Sequence, residues 1–314
     1  MAGQNNAALP DGLVLCGYRI VKKIADGGFS IVYLAEDTDG HAVAIKEYLP
    51  AALAHRRVGQ FQPVVAARNV ERYRLGLKYF FDEGRVLAGI VHPNVVRVLN
   101  FFRAHDTVYM VMAYEHGRSL QEHISQQRQR GDKLLVAESA LCHMFAQIMD
   151  ALREVHTHKL LHLDLKPANI YLRVDGTPIL LDFGAARQIL QADLAHVHPM
   201  YTPGFAAPEL ASKTALGPWT DIYSIGASLF ACMVGMPPQA AAERMIDDRM
   251  ETYYQQLDGV VSPDLIALMR WSLMIDPLKR PQSVFTLQKA LRESARMRLH
   301  HDDGLFSRLR RLVS

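Results

Sequence analysis

The chain has 314 residues, enough for one large two-lobed domain or two ordinary ones. Hydrophobic residues make up 49% and charged residues 21%, which excludes disorder, collagen and coiled coil as the main architecture. A net charge of +3 is too even for a nucleic-acid domain, which usually shows a clearly basic stripe, so no nucleic-acid partner is expected.

The three cysteines, Cys16, Cys142 and Cys232, lie far apart. That spacing disfavours a disulfide framework or a zinc site and favours a reducing compartment, with a cytoplasmic location. Residues 1–12 are polar and rich in Gly, Pro and Asn, without the apolar stretch of a signal peptide, and residues 1–13 are expected to be a flexible N-terminus. The longest uncharged apolar run, Ile222 to Met236, is short of the about 20 residues a membrane span needs, so a buried core helix is expected there.

In chain order, Tyr18–Ile24 and Ile31–Glu36 are β-branched and aromatic runs separated by Asp26-Gly27-Gly28. Asp39-Gly40 is a hairpin signal leading into a strand at His41–Lys46. Residues 47–70 are mixed, and Val70–Ile90 has helical character until His92-Pro93-Asn94 breaks it. Val95–Phe102 and Thr107–Tyr114 read as two more strands. From about residue 118 the chain turns helical. Leu141, Phe145, Ile148, Leu152 and Val155 recur at spacings of four and three, one apolar stripe on a long helix. A strand is expected at Thr177–Leu181, an irregular stretch from 184 to about 208, and helices at 221–235, 263–275 and 282–297. A β-rich first part followed by a helical second part implies an α+β fold. Glu115-His116-Gly117 falls where a connector between lobes, and hence a ligand cleft, is expected.

Four short segments carry chemistry. The glycine turn in Ile24-Ala25-Asp26-Gly27-Gly28-Phe29-Ser30-Ile31-Val32 lets backbone N–H groups approach phosphate oxygens, because no Cβ blocks them; a plain hairpin is the alternative. In Val43-Ala44-Ile45-Lys46 a lysine ends an apolar strand and can neutralise phosphate charge, with Glu83 on the following helix as the carboxylate to position it; a solvated strand-end lysine is the alternative. In His162-Leu163-Asp164-Leu165-Lys166-Pro167-Ala168-Asn169 an acid, a lysine two later and an asparagine five later share one loop. Asp can accept a hydroxyl proton, Lys can hold a phosphate oxygen, and Asn can ligate a hard divalent cation. Asp182-Phe183-Gly184 places a carboxylate suited to magnesium beside a hinge glycine. Four weak signals in one fixed order make a strong one.

On these motifs the chain resembles the eukaryotic-type (Hanks-type) serine/threonine protein kinases of bacteria, over roughly residues 18–293. Ala207-Pro208-Glu209 matches the family's APE motif, Asp221 its helix-F aspartate, and Arg280 the arginine that pairs with the APE glutamate. The resemblance implies a bilobal kinase-like fold, with an N-lobe at 14–112, a hinge at 113–117, a C-lobe at 118–297 and a basic tail at 298–314. It implies ATP as phosphoryl donor and Mg2+ as metal, with Mn2+ as a substitute. By it, Asp164 accepts the substrate proton, Lys166 contacts the transferred group, Asn169 and Asp182 hold the metal, and Lys46, paired with Glu83, holds the α/β-phosphates. Ile24, Ala25, Gly27, Gly28, Val32 and Ala44 surround the nucleotide, Met112 is the gatekeeper, and Ala113 to Glu115 present backbone groups to adenine. His162, Phe183 and Leu87 join a hydrophobic spine. Lys166 and Thr202, which precedes Pro203, imply serine/threonine specificity. The implied partners are protein substrates, the chain itself by autophosphorylation among them.

The sequence departs from the family at three places. Its usual His-Arg-Asp reads His162-Leu163-Asp164, and leucine cannot bind an activation-loop phosphate. No serine or threonine stands between Gly184 and Thr202, so activity is not expected to be gated by phosphorylation of that loop. Ala25 and Ser30 replace two of the family's loop glycines, which makes a feeble pseudokinase scaffold the alternative function. The stretch 47–70 reads as an insertion, and Arg56, Arg57, Arg68, Arg72, Arg74 and Lys78 around and after it are expected as a solvated face or a docking surface. No transmembrane helix is expected. The tail Leu305–Ser314 is suited either to an anionic membrane surface or to packing on the larger lobe.

Overall fold

The computed structural model describes residues 6–130, 136–183, 202–212 and 215–294. The chain divides into two units, one built mainly from residues up to His116 and the other mainly from Gly117 onward.

The first unit is centred on a six-stranded antiparallel sheet in the order β1-β2-β3-β4-β8-β7. Its strands are β1 (Val14–Leu15), β2 (Tyr18–Asp26), β3 (Ser30–Glu36), β4 (Ala42–Tyr48), β7 (Val98–Ala104) and β8 (Thr107–Ala113). A two-residue hairpin, β5 (Ala54–His55) with β6 (Val64–Val65), forms a separate small sheet inside the stretch read as an insertion. The helix α1 (Val70–Ala88) follows. Strand β7 starts at Val98 rather than Val95: Val95 and Val96 are buried, but the Val95 N–H closes the turn onto the His92 carbonyl at 3.1 Å and the strand begins only after it.

Strand alternation assigns the two faces of this sheet. Lys46 pairs with Val32 and Met110, Ala44 with Leu34 and Met112, and Ala25 with Val32, so these side chains share one face. Helix α1 covers that face; a Cβ on its Gly84 would lie 2.9 Å from the end of Met110. Glu47 pairs with Ile31 and Tyr109, and Ile45 with Tyr33, which puts Tyr33, Glu47 and Tyr109 on the opposite face. Strand β4 is buried from Val43 onward on both faces, so the second face is covered too. Its cover is the segment around Arg56 together with residues 6–9. Composition alone would leave Leu9 in a flexible terminus, yet it is only 2% exposed, because its side chain joins this core and its N–H donates to the Tyr33 hydroxyl at 3.1 Å.

The second unit carries the three-stranded sheet β11-β10-β9, made of β9 (Gly117–Ser119), β10 (Ile170–Arg173) and β11 (Pro178–Leu180). The sequence pattern misses β9 and β10, which are too short to show a period. Helices α2 (Leu120–Gln129), α3 (Glu138–Thr157), α4 (Pro208–Ser212), α5 (Pro218–Val234), α6 (Ala241–Arg244), α7 (Met250–Leu257) and α8 (Pro263–Ser272) follow, and α9 runs over 284–294. Helix α2 opens on a capping box between Ser119 and Glu122. The stripe expected along α3 is buried at every position named. Helix α5 is buried all round from Thr220 to Met233, as the apolar run implied, and no described helix is long and apolar enough to cross a membrane. The fold is α+β, with strands first and helices after.

Candidate active site

In the first unit, the shared face of β2, β3, β4 and β8 brings Ala25, Val32, Ala44, Lys46 and Met112 together. Ile24 is 40% exposed near the end of β2. Lys46 is buried, with its ammonium 5.8 Å from the centre of the Phe80 ring. Phe80 stands one turn before Glu83 on α1, and Glu83 is buried too. A buried ammonium and a buried carboxylate each require polar compensation. The solvated strand-end alternative for Lys46 is thereby excluded.

A Cβ on Gly27 or Gly28 would meet nothing within 4 Å, so no packing demands glycine there. The Gly27 N–H is already committed to the Ser30 carbonyl at 3.0 Å, and the Gly28 carbonyl accepts from Ala51 at 2.9 Å. At the other end of the sheet the Ala113 N–H donates to the Arg97 carbonyl at 2.9 Å. Met112 is buried on β8, and Glu115 lies in the connection that follows.

In the second unit, the loop before β10 gathers the expected polar groups around Asp164. The Lys166 ammonium donates to both Asp164 oxygens, at 3.0 and 3.1 Å, and to the Thr202 hydroxyl at 2.8 Å. The Asn169 amide nitrogen donates to the Asp164 carbonyl at 2.7 Å and to its carboxylate at 3.0 Å. With its nitrogen so committed, the Asn169 side chain has its oxygen left as an acceptor. The Leu181 N–H donates to the Asn169 carbonyl at 2.9 Å, which places Asp182 one residue from that anchor. Asp182 has a φ of 51° and Leu163 a φ of 63°, both left-handed, a conformation that aspartate tolerates better than most side chains and leucine rarely adopts. Thr202 is held in part through Phe205, whose carbonyl accepts from Ser224 of α5 at 2.9 Å.

The strained turn at Leu163 has a visible cause. The buried Asp221 carboxylate accepts the N–H of His162 at 2.9 Å and of Leu163 at 2.8 Å. Its third donor is the His156 ring at 2.8 Å. From sequence, His156 and His158 form an i, i+2 pair that reads as loop or surface histidines or as a metal chelate. The available signal is spacing: His156 stands four after Leu152 and one after Val155, at the edge of the apolar stripe. His162 is fully buried; its Nε2 donates to Leu181 at 3.0 Å and its Nδ1 accepts from Asp164 at 3.4 Å, a consistent neutral tautomer.

Burial holds the His162 imidazole below its usual range and outweighs the carboxylates of Asp221, Asp164 and Asp182. Burial pushes the Asp221 carboxyl up, but the His156 hydrogen bond, the histidine charges and the backbone donors outweigh it and hold the group low. Both groups bind protons more readily in the unfolded chain, so both favour the fold at high pH. The His162 contribution is complete above about pH 6.5 and is lost as the pH falls from there through the folded value. That of Asp221 follows the same sign below about pH 3.9. Melting midpoints measured at pH 8, 6.5 and 5 are therefore expected to fall with acidification; a rising midpoint would contradict this account.

Arg56 is placed otherwise than the sequence suggested. It is not part of a solvated basic face but fully buried, paired with Glu47 on the covered side of the sheet. Arg57, Arg68, Arg74 and Lys78 remain exposed. Residues 184–201 and 295–314, which include the expected irregular loop and the basic tail, lie outside the described residues.

Three comparisons place this geometry among known proteins. The chain is 31% identical to the solved structure "PpkA-294 apo form", with a TM-score of 0.80 over 90% of this chain and 99% of that one. It matches the Mycobacterium tuberculosis PknI kinase domain with a TM-score of 0.68 at 22% identity, over 92% of this chain and 100% of that one, a likeness of fold alone. Among curated proteins it is 29% identical to the probable serine/threonine-protein kinase PknB of Lactococcus lactis, over 70% of this chain and 32% of that protein. It is 28% identical to the serine/threonine-protein kinase PLK4 of Xenopus laevis, over 70% of this chain and 21% of that one, so the chain spans a third or less of these relatives' length. The family model described as "Protein kinase domain" matches residues 18–293, and on that span the chain belongs to the protein kinase family, among relatives of the serine/threonine type.

Proposed function

We propose that this chain transfers the γ-phosphoryl group of ATP to serine and threonine hydroxyls of proteins, through a domain covering residues 14–297. The observation that carries the reading is the hydrogen-bonded set Asp164, Lys166, Asn169 and Thr202 in one unit. Asp164, oriented by Lys166 and Asn169, takes the proton of the acceptor hydroxyl. Lys166 contacts the transferred group and is held by Thr202. Lys46, with Glu83, holds the α/β-phosphates. Ile24, Ala25, Val32 and Ala44 pack on the nucleotide, Gly27 and Gly28 lie over its phosphates, Met112 bounds the adenine, and Ala113 and Glu115 supply its backbone partners.

The Asn169 amide oxygen and the Asp182 carboxylate form a hard oxygen pair of the kind that suits Mg2+, with Mn2+ as substitute. Bound there, the ion would neutralise charge on the phosphates. Leu163 stands where the family commonly has arginine, and no serine or threonine lies between Gly184 and Thr202, so catalysis does not wait on phosphorylation of that segment. Autophosphorylation elsewhere in the chain fits this reading, as does a cytoplasmic location for a chain whose three cysteines lie far apart in sequence.

A second reading has one feature in its favour. Ala25 and Ser30 stand at two loop-glycine positions, and the Gly27 N–H is taken by Ser30, which fits a nucleotide-binding scaffold with little turnover. Radiolabelled ATP with magnesium and a generic protein acceptor separates the two. The first reading requires label transfer by the unaltered chain that Asp164→Asn and Lys46→Met each abolish. Nucleotide binding without transfer would establish the second.

A further inference from the structure

The covered face of the sheet holds one buried ion pair in which every donor is used. Arg56 and Glu47 both have side-chain exposures of 0%. The Arg56 fork donates to Glu47 Oε1 at 2.5 Å and to Oε2 at 2.7 Å. The remaining guanidinium hydrogens go to the Tyr33 hydroxyl at 2.9 Å, the Phe61 carbonyl at 3.4 Å and, from Nε, the Ala7 carbonyl at 2.8 Å. Glu47 accepts two further bonds, from the Tyr33 hydroxyl at 2.7 Å and the Tyr109 hydroxyl at 2.9 Å. The backbone of Arg56 is tied as well: its N–H donates to the Asn6 side chain at 2.8 Å, and its carbonyl accepts from Ala7 at 3.1 Å. Four pieces of chain therefore meet at one guanidinium, residues 6–9, the 54–61 segment, β4 and β3, and β8 joins them through the Tyr109 bond to Glu47.

Such a pair is poorly explained by stability alone. Two charges leave water to form it, and apolar side chains of similar volume are often equally stable or better. What a forked, fully satisfied pair supplies is a fixed position. The position it fixes is that of Glu47, and the residue before Glu47 on the same strand is Lys46, which alternation turns to the other face. A strand clamped from one side cannot slide or tilt freely on the other. We propose that Arg56 is a positioning residue, holding β4 through Glu47 so that Lys46 is presented at a fixed place, with residues 6–9 closing the clamp. This rests on the reading of Lys46 as a phosphate-binding residue. Burial, then Glu47, push the Tyr33 and Tyr109 hydroxyls far up, and Glu47 outweighs burial to hold the guanidinium charged.

The test uses the full chain and the double variant Glu47→Met with Arg56→Met, which removes the clamp without leaving a lone buried charge. Folding is followed by thermal melting, and nucleotide affinity by titration with a fluorescent ATP analogue. Turnover is measured over separate ATP and acceptor concentration series. The expected result is a folded protein whose KM for ATP and analogue Kd both rise about tenfold, while the KM for the acceptor is unchanged. A purely structural role would lower the melting midpoint and leave both nucleotide constants at the unaltered value in the folded fraction. That outcome overturns the proposal. Should the double variant not fold, Tyr33→Phe with Tyr109→Phe removes two of the bonds to Glu47 at nearly constant shape. A rise of about twofold in the same two constants supports the clamp, and no rise overturns it. Lys46→Met is run alongside: if it keeps full nucleotide affinity and turnover, the reading of Lys46 fails on its own account. If it loses them while both clamp variants match the unaltered chain, only the clamp fails.

Discussion

Replacing Asp164 with asparagine is expected to lower phosphoryl transfer by a factor of about 10²–10⁴, with the fold intact. Asparagine has nearly the shape of aspartate and can still accept a hydrogen bond from Lys166 through its amide oxygen. It has no basic carboxylate to take the proton of the acceptor hydroxyl. Its amide nitrogen also brings donors to a position that now only accepts, facing Lys166 and the Asn169 amide nitrogen at 3.0 Å. The loss should therefore fall on kcat rather than on the KM for ATP. Steady-state turnover with a protein acceptor, beside a melting curve, checks it. A variant that melts normally and retains turnover within a few-fold would show that the proton leaves by another route, and the assignment of Asp164 would have to be withdrawn.

The largest stability effect is expected at Arg280. This residue is 2% exposed and forks onto Glu209 at 2.7 and 3.0 Å, while its other donors go to the carbonyls of Met274, Trp219 and Ile275. Its guanidinium also lies 4.9 Å from the centre of the Tyr223 ring. Arg280→Leu leaves a carboxylate, itself 2% exposed, without its cation, and three carbonyls without their donor. Breaking one side of such a pair costs about 3–5 kcal/mol, which for a chain of this size lowers the melting midpoint by of order 10 °C. Adding Glu209→Leu removes the stranded charge and should restore part of the loss, though not the part owed to the carbonyls. Calorimetry on the single and double variants decides; equal midpoints for Arg280→Leu and the unaltered chain would show that the pair carries no stability.

Much of this was legible in the residues themselves. The order of strands and helices follows from runs long enough to show a period, such as 70–88 and 138–157. The loop from His162 to Asn169 announces itself by residue type and spacing, and the structure joins Asp164, Lys166, Asn169 and Thr202 by direct hydrogen bonds. Positions whose meaning depends on a distant partner were not legible. Arg56 looks like any surface arginine until Glu47 is placed beneath it, and His156 like any loop histidine until Asp221 faces it. Strands of three or four residues, β9 and β10, hold too few positions to show a period, and pairing with each other defines them. The left-handed backbone at Leu163 is equally silent in sequence, because leucine is not a residue type that favours it.

Leu9 packs into the first unit's core and its N–H is fixed to Tyr33. Where recombinant versions of this chain are designed, the first cut site therefore matters more than the polar start of the sequence suggests. Trimming back to residue 14 would strip an apolar plug from the sheet and open a wet channel to a guanidinium that has lost its Ala7 acceptor. An affinity handle joined ahead of residue 6 spares that plug, and shortened versions compared for solubility or activity are like for like only if all of them keep it.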